Sequence, residues 1–185
     1  MTVFLLSSVL IAPVSADERG ITHLEVAGKE GAIIVSAVLE GGFSQEIAQE
    51  IRQGVSREFF YYIVLHRVIP HWYDEEKRSK TLRYSVKYDF LKNQFRVNLR
   101  DGNESKEAVF DNYEEMKRWV SHLSAVSLAP VRALSGNHEY YVSVKAEMKA
   151  GELPVIVRYV MFFVPYSRFH TPWVTSRIFR VSDLK

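Results

Sequence analysis

From Leu82 to Arg100 the side chains change character at every step. Leu82, Tyr84, Val86, Tyr88 and Phe90 alternate with Arg83, Ser85, Lys87 and Asp89, and Phe95, Val97 and Leu99 then alternate with Arg96, Asn98 and Arg100. Successive strand residues point to opposite faces, so a period of two buries one set only if the segment is extended and paired. With Lys92-Asn93 as a two-residue turn, Phe90 faces Phe95, Tyr88 faces Val97, Val86 faces Leu99, and Asp89 sits opposite Arg96 on the solvent side. A slip of one residue would turn every apolar side chain to water. The segment therefore commits the chain to an antiparallel sheet with one face on a core.

The same period recurs along most of the chain. Ile21–Val26 and Ala32–Leu39 read as two opening strands joined near Gly28 and Gly31, and Gly41-Gly42 stops the second. Phe43, Ile47 and Ile51 mark one stripe of a short helix over residues 44–53, ended by Gly54. Val55–Val68 is apolar or aromatic on both parities, which predicts a central strand covered on both faces and ended at Pro70. His71–Lys80 reads as a polar loop. Ala108 and Phe110 mark a further short strand. Asp111 and Glu114 open a second helix with buried stripe Tyr113, Met116, Val120 and Leu123, ending before Pro130. Tyr140–Met148 alternates again, Pro154 leads into the apolar run Val155–Val164, and a last strand covers Thr175–Val181. About eight strands and two helices predict a mainly β, β-rich α+β fold: a single antiparallel sandwich-like domain.

The N-terminus reads differently. Residues 1–16, MTVFLLSSVLIAPVSA, carry no charged side chain and end in Val14-Ser15-Ala16 before Asp17-Glu18-Arg19. An apolar stretch too short to span a bilayer, followed by small residues and a polar start, has the shape of a secretory signal cleaved between Ala16 and Asp17. Residues 17–185 would then form the mature domain, large enough to bury roughly 70% of its unfolded surface without covalent staples. The chain has no cysteine, so an exported form must rely on its packed core. The run Val155–Val164 is interrupted by Arg158 and too short for a transmembrane helix, so no membrane span is expected.

Missing thiols also exclude zinc ribbons, iron–sulfur clusters and cysteine nucleophiles. With 24 Lys and Arg against 22 Asp and Glu, the basic excess typical of nucleic-acid binders is absent, and no nucleic-acid partner is expected. His66, His71, Asp74 and Glu75, with Glu76 beyond, are the candidates for a divalent metal or acid–base chemistry, but their spacing fits no metal motif. His122, His138 and His170 are scattered, and no Gly-x-Ser-x-Gly elbow, phosphate loop or dinucleotide fingerprint occurs. No cofactor is expected. Arg83, Lys87, Arg96 and Arg100 share the solvent face of the hairpin with only Asp89 to offset them, a patch suited to anionic lipid, acidic polysaccharide or an acidic partner protein. Phe162, Phe163, Tyr166, Phe169 and Trp173 are either core or, where exposed, a contact surface.

The ordered segments AVLEGGFSQEIAQEIRQGVSREFFYYIVLHR, LRYSVKYDFLKNQFRV, NYEEMKRWVSHLSAVSLAPVRAL, YYVSVKAEMKAGELP and TPWVTSRIFRV resemble the proteobacterial domain-of-unknown-function 4390 family over roughly residues 31–181. Gly41, Phe43, Gly54, Trp119, Tyr141, Leu153-Pro154 and Trp173 carry the likeness. The resemblance implies an exported, β-rich bacterial protein, sometimes encoded near membrane sensor kinases, and assigns no residue a role. The expected function is a periplasmic, non-catalytic binding or accessory module for an envelope or membrane protein such as a sensor kinase. The alternatives are a metal-dependent or hydrolytic enzyme using the His66–Glu76 region, and a lipid or ligand carrier.

Overall fold

A computed structural model describes residues 19–150 and 168–184. Strands β1 (Gly20–Lys29) and β2 (Ala32–Glu40) form a hairpin. Its two loop residues, Glu30 and Gly31, both have positive φ, as the tight turn that matches strand twist requires. Helix α1 (Gln45–Arg52) starts at Ser44, whose Oγ accepts from the Ile47 amide at 3.4 Å. Gly54 then takes φ +85°, a left-handed helix stop, and a Cβ there would lie 2.6 Å from the Phe90 ring. Four strands follow: β3 (Arg57–Arg67), β4 (Glu75–Asp89), β5 (Gln94–Asp101) and β6 (Glu104–Phe110). Helix α2 (Tyr113–Ser121) is capped by Asn112, whose Oδ1 accepts from the Glu114 amide at 2.7 Å. It runs directly into β7 (His122–Pro130) and, after a 3₁₀ turn, β8 (Tyr140–Ala150). Two short strands close the chain, β9 (Phe169–His170) and β10 (Val174–Thr175).

The strands make two antiparallel sheets, one in the order β1-β2-β7, the other β10-β8-β3-β4-β5-β6 with β9 also on β8. Each helix lies where the chain crosses between sheets, α1 from β2 to β3 and α2 from β6 to β7. The layers meet over Ile33, Val35, Ala37 and Leu39 of β2 on one side and Phe59, Tyr61, Ile63 and Leu65 of β3 with Val142, Val144, Ala146 and Met148 of β8 on the other, all buried. Burying a side chain of this size contributes about 1.5–3 kcal/mol. Ile47 and Ile51 of α1 and Met116 and Val120 of α2 complete this core. At its α1 end, fully buried Arg57 donates through Nε to Glu50 Oε2 at 3.0 Å, tying the helix to the central strand.

The β-rich sandwich with two helices is as expected, with eight strands of seven residues or more and two of two residues among the described residues. Five local expectations are corrected. In the hairpin, Tyr88 pairs with Phe95, Val86 with Val97 and Tyr84 with Leu99, while Asp89 faces Gln94 and Lys87 faces Arg96. The loop is Phe90–Asn93, and Phe90 is 62% exposed. Residues 75–80 are strand, not polar loop, because β3 pairs with them as far as Arg67 and Glu75. Leu123 belongs to β7, whose positive-φ Ala125 and irregular pairing with β2 obscure its alternation. Finally, only one face of β3 is fully buried; Phe60, Tyr62, Val64 and His66 on the other are half-exposed. In place of the expected strand over Thr175–Val181, β10 stops at Thr175, Phe179 makes an isolated bridge to Tyr140, and Val181–Asp183 is a 3₁₀ turn. The signal segment with its Ala16–Asp17 junction, and the apolar run Val155–Val164, lie outside the described residues.

Candidate functional site

The outer face of the large sheet gathers the charged residues singled out in the hairpin. Directly paired residues share a face, so the registers of β8, β3, β4, β5 and β6 define rows across it. One row reads Glu147, Phe60, Arg83, Arg100, Ser105, and the next Lys149, Glu58, Ser85, Asn98, Glu107. A third holds Lys87, Arg96 and Val109. Arg83, Lys87, Arg96 and Arg100 thus form two cross-strand pairs of like charge.

The offset is larger than Asp89 alone, because neighbouring strands bring further carboxylates. Arg83 pairs with Glu58. Arg96 lies 3.3 Å from both Asp89 and Glu107. Among the described residues Lys87 and Arg100 have no carboxylate within ion-pair reach. The uncompensated charge of the patch therefore sits on these two residues. Arg83, Ser85, Asn98 and Arg100 line a shallow depression of about 220 Å³.

Beside it, the Phe60 ring of β3 lies under two cations, Lys149 of β8 and Arg83 of β4. Lys149 Nζ is 4.9 Å and Arg83 Cζ 5.9 Å from the Phe60 ring centre, within the range where a cation is attracted to an aromatic face. Phe60 stacks near-parallel on Tyr62, with centroids 6.4 Å apart. The Tyr62 hydroxyl donates to Glu147 at 3.0 Å. Partial burial and that bond raise the pKa of Tyr62, while the Tyr62 and Lys149 hydrogen bonds hold the Glu147 carboxyl below its usual range against the effect of burial. Sequence alone does not single out Glu58, Phe60, Ser85, Asn98, Glu107 and Lys149; each has outward parity, but which strands adjoin decides whether they meet.

The His66–Glu76 residues are engaged elsewhere. His66 stacks on Tyr141 with centroids 4.7 Å apart. His71 occupies the turn with φ +63°. Asp74 accepts from the Ile69 amide at 3.2 Å and the Tyr141 hydroxyl at 3.0 Å. Glu75 pairs with Arg67 and, at 3.1 Å, with Lys77, which lowers its pKa. Among the described residues no three His, Asp or Glu side chains converge as a metal site would need. The tip of this hairpin exposes Trp72 and Tyr73, packed edge to face.

Of the C-terminal aromatics, Phe169 is buried edge-on against Phe59 and Trp173 is half-exposed; Phe162, Phe163 and Tyr166 lie outside the described residues. No helix among the described residues is long and apolar enough to cross a membrane.

These features define a two-sheet antiparallel β domain with helical crossovers and a polar, cation-bearing sheet face open to solvent. The chain matches the family model of a domain of unknown function, DUF4390, over residues 16–177, and it belongs to that family. No curated protein and no solved structure matches it.

Proposed function

We propose that the protein is an exported, non-catalytic accessory module that docks on an envelope protein, with the outer face of its large sheet as the contact. The observation that carries this reading is the pair of cations without a carboxylate in reach among the described residues, Lys87 and Arg100, on a sheet face beside half-exposed Phe60 and Tyr62. Such a face offers steering charge next to aromatic contact area, the combination that protein interfaces use. The signal-like residues 1–16 support an envelope location, where a membrane sensor kinase is one partner of the fitting kind.

Crosslinking in intact cells followed by mass spectrometry tests the reading. A specific envelope protein should be recovered with the native chain and depleted when Lys87 and Arg100 are both changed to Glu. Recovery of no partner at native abundance overturns it. N-terminal sequencing of the protein from its host should begin at Asp17; an intact Met1 would remove the export step.

A further inference from the structure

We propose that Arg83, Ser85, Asn98 and Arg100 form a binding site for a single phosphate group. Arg83 and Arg100 stand directly opposite each other on β4 and β5, and Ser85 and Asn98 occupy the next pair on the same face. Like charges placed opposite in a sheet repel, and among the described residues only Arg83 of the two has a carboxylate partner, Glu58. Arg100 has no carboxylate in reach among the described residues. Asn98 is oriented from its far side: its Oδ1 accepts from the Ser105 hydroxyl at 3.1 Å, which leaves the amide N–H groups to donate into the depression. The Ser85 hydroxyl supplies a fourth donor.

Two guanidinium groups, an amide and a hydroxyl around a depression of about 220 Å³ suit a tetrahedral oxyanion, since guanidinium groups bind phosphate oxygens through paired, charge-assisted hydrogen bonds. A bound phosphate would supply the negative charge that Arg100 lacks, with Arg83 contributing the guanidinium N–H groups that Glu58 does not take. The site is open, so an ester substituent can project to solvent, and both a lipid headgroup and a soluble phosphate carry the required chemistry. The inference rests on the binding-face reading for its setting, but phosphate titration of the purified protein needs no partner and succeeds or fails independently of the crosslinking.

The test is titration with inorganic phosphate followed by amide NMR shifts. Shifts should centre on residues 83–85 and 98–100, Arg100→Gln should weaken binding about tenfold, as expected for loss of a charged hydrogen-bonding group, and Lys92→Gln on the exposed hairpin loop should change nothing. Asn98→Ala, which leaves both charges in place, should weaken it too and separates a built site from general attraction. Shifts scattered over the surface, or binding unchanged in Arg100→Gln and Asn98→Ala, overturn the proposal. Vesicles of phosphatidylcholine with and without phosphatidylglycerol identify the source. Retention by the anionic vesicles that Arg100→Gln abolishes points to lipid, and phosphate binding without vesicle retention points to a soluble phosphate.

Discussion

The hydroxyl of Tyr61, at the centre of the large sheet, donates to the main-chain carbonyl of Val120 at 2.7 Å. Val120 lies in the last turn of α2, where carbonyls have no intrahelical partner, and both residues are fully buried. One hydrogen bond thus completes the helix end and fixes α2 over the sheet. Tyr61→Phe keeps the ring but orphans a buried carbonyl, so it should cost about 1–3 kcal/mol, read as a lower urea midpoint with an unchanged m-value.

A second interior polar contact, between Arg57 and Glu50, joins α1 to β3. Arg57→Ala leaves the Glu50 carboxylate, 12% exposed, without its cation, and should cost about 3–5 kcal/mol. Replacing both, as Arg57→Met with Glu50→Leu, should recover most of that loss, because two apolar side chains of similar volume need no mutual neutralisation. Thermal unfolding of the single and double variants measures the difference.

The β4–β5 loop rests on Asn93, which holds φ +54°. Its Oδ1 also accepts from the Tyr88 hydroxyl. Asn93→Ala should destabilise by about 1–2 kcal/mol, the cost of a left-handed conformation for a residue with a Cβ, whereas Asn93→Gly relieves the backbone and should lose only the tyrosine contact. Chemical denaturation of the two variants side by side should rank them in that order.

Alkaline pH probes the core. Burial, with the Asp101 charge adding, pushes Tyr84 up to about 12, and burial and Glu114 together push Tyr113 up to about 12 against the lowering effect of Arg52; burial also raises Tyr61 well above its usual value. An unfolded tyrosine ionises near pH 10, so between about 10 and 12 the unfolded chain sheds protons that the folded chain keeps. Stability should be full below about pH 10 and fall as pH rises towards 12. Tyr84→Phe should flatten that decline in far-UV circular dichroism titrations.

The hairpin shows how far alternation reaches. The observed pairing differs from the expected one by two residues, with Tyr88 rather than Phe90 opposite Phe95. A shift of two preserves the face of every side chain, so hydrophobic pattern cannot distinguish the two registers. The loop decides: Asp89 Oδ1 accepts from the Leu91 and Lys92 amides at 3.1 and 3.2 Å, and Asn93 supplies the left-handed residue. This four-residue turn pushes Phe90 into solvent.

Strand β7 was hidden for a different reason. Leu123 continues the spacing of Met116 and Val120, so periodicity alone extends the helix, whereas pairing with β2 turns His122–Pro130 into a strand. The charged stretch Glu75–Lys80 likewise becomes strand because β3 pairs with its backbone, a contribution that side-chain polarity does not report.

Local alternation, glycine stops and helix caps depend on near neighbours, and they determined the β-rich class, α1 and its Gly54 end, the start of α2, and the outward parity of Arg83, Lys87, Arg96 and Arg100. Strand order and charge compensation depend on residues far apart in the chain. Only the tertiary structure could bring Glu58 to Arg83 and Glu107 to Arg96, leaving Lys87 and Arg100 without a carboxylate partner among the described residues, because a side chain's charge is set by its sequence while the field around it is set by whichever strands pack alongside.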